Sequence, residues 1–273
     1  MLAALAALGF GFGDFLGGSA TRSLPVWRAL LWAHGIGLAL VGVWTMTATS
    51  VPLPADLVAG AVAGLFGMVG LAFLYTGLAR GRAAVVAPTA AVVGAVIPVL
   101  AGVLEGERPG LGTWVGVAVA LPAIVMASSV EGVARRSAGL GYGLGAGAFF
   151  GGYFVALAVS SEGSDLWPLL ASRGTSTVIL TVAALAVGRE WLRMPNGPAG
   201  RAVLGVGLLD MVGNVTYLLA TKVGALVVVA VVASLYPAVT VIVSRFVYHE
   251  HLSWRQITGL VAALGAVALL AAT

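Results

Sequence analysis

The chain has 273 residues, of which 60% are hydrophobic and 9% charged, with a mean hydropathy of +1.06. A water-soluble domain carries roughly 25% charged residues, so this sequence cannot clothe a water-facing surface and a bilayer must be its solvent. The 14 Lys and Arg against 10 Asp and Glu sit singly or in pairs at the ends of apolar runs, a placement that suits lipid headgroups and not a nucleic-acid groove, and the absence of cysteine excludes disulfides, thiolate metal sites and cysteine nucleophiles.

A crossing helix needs about 20 mostly apolar residues. Ten runs qualify, at 1–20, 26–48, 55–79, 83–104, 111–130, 139–160, 166–188, 201–221, 225–247 and 254–272. The first is as short and apolar as a secretory signal, but it lacks a basic start and Asp14 interrupts it, so it is read as a mature helix. Strands of a membrane barrel would be about 10 residues long with period-two alternation, which these runs lack. The sequence predicts an all-α integral membrane protein of about ten transmembrane helices, with no loop long enough to fold by itself.

Taken in order, the helices carry a sparse set of polar groups. Asp14 in the first lies about six residues from its end, and Gly9, Gly13 and Gly17 beside it form a small-residue seam on which another helix backbone can close. The second holds Trp32 and His34, the latter able to titrate near neutral pH. Tyr75 lies in the third, and Pro88 and Pro98 in the fourth are candidates for breaking it. Glu107 follows at the loop–helix junction, suited to capping the next helix or to gating by pairing with Arg108. The sixth repeats the glycine seam at Gly143, Gly147 and Gly151 and carries Tyr153. Arg173 in the seventh is placed to pair with Asp210, bind a carboxylate or snorkel to the surface. The eighth holds the strongest candidate, Asp210 in mid-span, with Asn214 and Tyr217 on the same helical face. An ionisable group at such depth costs about 2.5–3.5 kcal/mol on insertion scales; this one would suit proton exchange or a cationic cargo. The ninth contains Tyr236 and Pro237, a third helix-break candidate, and Glu250 follows it as Glu107 follows the fourth. Trp32, Tyr75, Tyr153, Tyr217 and Tyr236 could line a cavity or cage a cation, whereas Trp27, Trp114, Trp167, Trp191 and Trp254 sit at span ends as an interfacial belt.

The chain repeats itself. Shifting 87–128 by 143 residues lays Glu107 on Glu250, Gly116 on Gly259 and Leu121 on Leu264; a shift of 142 lays Tyr75 on Tyr217, and one of 139 lays Phe10, Gly13 and Phe15 on Phe149, Gly152 and Phe154. The halves are 1–130 and 139–273, joined by a charged link at 131–138. Five spans per half is odd, so the second half must enter the membrane upside down relative to the first. Such inverted-topology repeats build many secondary transporters, with the substrate near the midplane between them.

The run Ser234-Leu235-Tyr236-Pro237, then Glu250 and Gly259, with its weaker copy at Gly106-Glu107-Arg108-Pro109 and Gly116, resembles the drug/metabolite transporter superfamily in its ten-helix form with two EamA-type repeats. The resemblance covers nearly the whole chain and implies transport, of amino acids, metabolites or drugs, without fixing the cargo. The small multidrug resistance relatives carry a proton-coupling acid in their first helix, and Asp14 is a positional match. For orientation, eleven Lys or Arg lie in odd-numbered loops against two or three in even-numbered ones, which puts the odd loops in the cytoplasm and both termini outside; the resemblance implies both termini inside.

No HExxH, GxSxG, paired-aspartate or phosphate-loop motif occurs, so neither catalysis nor a cofactor is expected. The expected partners are the bilayer, a small solute and protons, in a monomer or homodimer within a prokaryotic inner membrane. The competing class is a membrane-embedded lipid-handling or scaffold protein without solute flux.

Overall fold

The computed structural model describes residues 1–48, 50–80, 83–127, 137–248 and 253–272, with the side chains of 83, 84, 137, 138, 244, 245, 248 and 271 also outside the description; Glu250 lies outside the described residues. Helices run α1 (Leu2–Ala20), α2 (Val26–Thr45), α3 (Pro54–Ala79), α4 (Ala83–Leu104), α5 (Leu111–Ala127), α6 (Ser137–Ala158), α7 (Trp167–Val187), α8 (Gly197–Val223), α9 (Leu226–Ala233), α10 (Tyr236–Tyr248) and α11 (Trp254–Ala271). Among the described residues eight spans are long and apolar enough to cross a membrane, α9 and the start of α10 counting as one, and α5 and α11 are shorter apolar helices. Local chemistry sets several of these starts. Proline occupies the first turn of α3, α7 and α8, where its missing N–H goes unneeded, and Ser253 with Gln256 forms a reciprocal capping box at α11.

The three proline break candidates divide. The fourth span does not break: α4 runs unbroken through Pro88 and Pro98, because neighbours in a bundle hold a helix together across a lost bond. The ninth does break, at Ser234 and Leu235, just before Pro237. Pro237 has no N–H to give to the carbonyl four residues back. The backbone tightens there instead, with Leu235 N bonding Val232 O at 3.2 Å and Ala238 N bonding Leu235 O at 3.0 Å.

The helices pack in matched sets. α1 lies along α8 and α6 along α3; α1 touches α9 and α10 as α6 touches α4; α2 meets α8 as α7 meets α3; and α2 pairs with α7, α4 with α9 and α5 with α11. Close approach depends on glycine. A Cβ on Gly9 would stand 2.7 Å from Gly213 N and from Leu209 O of α8, so a side chain there would drive the two backbones apart. The seam in α6 serves another partner, since Gly143, Gly147 and Gly151 seat Thr89, Val93 and Ile97 of α4. The ninth span is the most enclosed, with 72% of its residues buried.

Candidate functional site

Both halves contribute to a central cavity. Phe10 and Asp14 come from α1, Gly67 and Leu71 from α3, Phe150, Tyr153 and Phe154 from α6, Arg173 from α7, Asp210 and Asn214 from α8, and Tyr236 from the start of α10. It offers about 40 Å³ to water centres, room for a few waters and well short of the space an organic ligand fills. The helices must part to admit one.

Three charged side chains meet here. Arg173 Nη2 lies 2.7 Å from Asp210 Oδ2, with the arginine 3% and the aspartate 16% exposed. The pairing rather than snorkelling follows from space on the neighbouring helix: Gly37 of α2 lies against the Arg173 stem, where a Cβ would stand 3.4 Å from Cδ. Gly64 of α3 likewise lets α7 approach, since a Cβ there would run into the carbonyl of Ser172. Asp14 lines the same cavity at 9% exposure. It stands six residues before the end of α1 at Ala20, as the sequence predicts, and faces inward beside the α8 backbone, where Gly13 leaves room. It has no hydrogen-bond or ion-pair partner among the described residues, and the Arg173 Nε is likewise buried without one. The wall thus carries one ion pair and one acid turned to the cavity without a protein partner among the described residues.

Asn214 orders the α6–α8 wall. Its Nδ2 donates to the backbone carbonyl of Asp210 at 2.6 Å, and its Oδ1 accepts from the Tyr153 hydroxyl. Phe10, Tyr153 and Tyr217 gather around Phe154, with the Phe154 and Tyr217 ring centroids 4.4 Å apart. Tyr236 lines the cavity with its hydroxyl buried and unpartnered.

The other candidates lie elsewhere. Tyr217 and Tyr75 are fully buried, and neither lines the cavity; the Tyr75 ring lies against Gly17. Trp32 packs near Ala20, Ala29 and Val203, away from it. His34 lies in the α2–α7 interface with Nδ1 2.6 Å from Ser176 Oγ. The same Ser176 hydroxyl stands 2.9 Å from the Ser172 carbonyl, and the other ring nitrogen, Nε2, is buried without a partner.

Glu107 caps neither the following helix nor Arg108. Its Oε1 accepts from Leu226 N at 2.6 Å and its Oε2 from Val227 N at 3.1 Å, so it caps α9 of the other half. The carboxylate answers two of the four amides a helix start leaves open, and its charge suits that end of the helix dipole. Removing it by Glu107→Ala should cost about 1 kcal/mol, read as roughly fivefold faster hydrogen exchange at the amides of 226 and 227; unchanged exchange would show that the clasp holds nothing. Two further ties on the same face escaped the sequence reading. Asp56 accepts from Ser161 N and Oγ, each at 2.7 Å, and Lys222 Nζ donates to the carbonyl of Ser160 and, at 2.7 Å, to its hydroxyl. Phe10, Phe150 and Phe154 were also missed as cavity residues, although Phe10 and Phe154 stood in the repeat matches.

Among the described residues no three His, Cys, Asp or Glu side chains gather as a metal site would require. A solved protein crystal structure shares the fold at 16% identity, with a TM-score of 0.75 over 98% of this chain and 94% of its own. Among curated proteins no sequence matches. The EamA-like transporter family matches twice, over 1–129 and 137–272. With nearly its whole length accounted for by those two matches, the chain belongs to the EamA-like transporter family.

Proposed function

We propose that the protein is a secondary-active transporter that moves a small metabolite, amine, amino acid or drug-like solute by alternating access, with protons as the coupling ion. One observation carries this reading: Asp14, Arg173 and Asp210 face a single cavity lined by helices of both halves. In low dielectric an unpaired carboxylate is too costly to leave charged. Asp14 is therefore neutralised either by a proton or by a cationic group of the cargo, and the two compete for the same oxygens. Arg173 and Asp210 satisfy each other until a carboxylate or ammonium on the solute separates them.

The matched packing of the halves and the break between α9 and α10 support the rest. Two five-helix halves inverted in the membrane can exchange conformations, opening first one face and then the other. The break falls directly before Tyr236, at the cavity wall. The setting is a prokaryotic inner membrane, with the odd-numbered loops on the cytoplasmic side.

Purified protein in liposomes should carry at least one labelled amine, amino acid or nucleobase, and an imposed pH gradient should drive its accumulation. Absence of flux across such a panel would remove the transport reading, and flux indifferent to the gradient would remove the coupling ion.

A further inference from the structure

A second, larger space lies away from the charged cavity. At the face formed by the chain termini and the loops before α5 and α9, a crevice of about 830 Å³ separates the α1–α8 pair from the α5–α11 pair. Its floor is α9, from the start at Leu226 down to Val232, about 9 Å of helix at 1.5 Å per residue. Below the rim its walls are built from residues such as Leu2, Ala220, Val228 and Val267.

The two halves differ beside it. At a shift of 139 residues the α6 glycines 143, 147 and 151, which seat α4, correspond to Ala4, Leu8 and Phe12 of α1. α1 instead closes on the ninth span through Gly11, where a Cβ would stand 2.6 Å from Tyr236 O, and the crevice lies beyond that contact, along the first turn of α1 at Leu2, Ala3 and Ala4.

We propose that this crevice is a binding site for one glycerophospholipid, with an acyl chain along Val228 and Val232 and the phosphate on Arg108. The crevice lies between membrane-crossing helices and opens at their ends, at the depth where a headgroup meets its tails. Its polar lining lies mostly at the rim, with valines, alanines and leucines below, and its volume lies in the range of small-molecule sites. Charge complementarity fixes the polar end. Arg108 stands exposed at the rim, and the acid beside it, Glu107, is committed to the α9 amides, so the guanidinium is the cation left for a phosphate. The α9 start, already capped, does not compete for that anion.

Native mass spectrometry of the detergent-purified protein titrated with dioleoyl phosphatidylglycerol tests this, with dioleoylglycerol as the phosphate-free probe. The wild type should retain one phosphatidylglycerol, and Arg108→Gln should weaken it about tenfold, as loss of a charge-assisted bond implies. Dioleoylglycerol should bind no better than phosphatidylglycerol does to that variant. Val228→Trp fills the crevice from the floor and Val267→Trp from the opposite wall; each should remove the adduct while the protein still elutes as a single species. Equal retention by all variants would overturn the site. So would a second copy of the chain in place of lipid, or a Val228→Trp protein that keeps its lipid yet loses solute flux, which would make the crevice a solute route.

Discussion

Arg173→Met alone should lower stability by about 3–5 kcal/mol, because breaking one side of a buried ion pair strands the other charge, and should reduce flux to the empty-liposome background. The 2.7 Å contact between Arg173 and Asp210, with the arginine almost wholly buried, leaves Asp210 no other cation in reach of the cavity wall. The double change Arg173→Met with Asp210→Leu should recover most of that stability, since apolar replacement of a whole buried pair is often neutral or favourable, yet flux should stay absent. Denaturant titration and liposome flux on the two variants separate a folding role from a transport role. Recovery of flux in the double variant would reduce the pair to scaffolding.

Asp14→Asn should uncouple movement from the pH gradient without stopping it. One proton exchanged per solute across one pH unit supplies about 1.4 kcal/mol, or roughly tenfold accumulation, and the amide can neither take up nor release that proton. The variant should therefore equilibrate its solute to a ratio of about 1 under the same gradient while still exchanging labelled for unlabelled solute. Accumulation that stays near tenfold would move the proton site to another group. The prediction rests on Asp14 facing the cavity without a partner, a setting that Asp210 beside Arg173 lacks.

Element existence was legible because period and length are read directly from apolar runs: α2, α3 and α4 begin within a residue of their predicted starts. The repeat was legible too, through Glu107 on Glu250 and Gly116 on Gly259. Sequence spacing does not show which way a helix is turned. Tyr75, Trp32 and Tyr217 were therefore placed with the cavity residues although their rings pack elsewhere. Glu107 misled for a related reason: its partners, Leu226 and Val227, are 119 and 120 residues away, and a cap supplied from the other half has no local signature. The prolines divided on context, with Pro88 and Pro98 carried inside α4 and Pro237 following a real interruption.

Tyr75 and Tyr217 are mates in the repeat, Tyr75 near the end of α3 at Ala79 and Tyr217 near the end of α8 at Val223, ends that an inverted repeat sets on opposite sides of the membrane. Under the proposed cycle these rings act as paired bolts, one per exit. Gly17 pins the first against α1, and the second lies on Phe154. Drawing one back requires shifting a whole helix, so both withdraw together only if two helices move at once. Such a passage conducts no continuous thread of ions, and an electrical recording across a membrane holding the protein should show no unitary channel openings even while solute crosses.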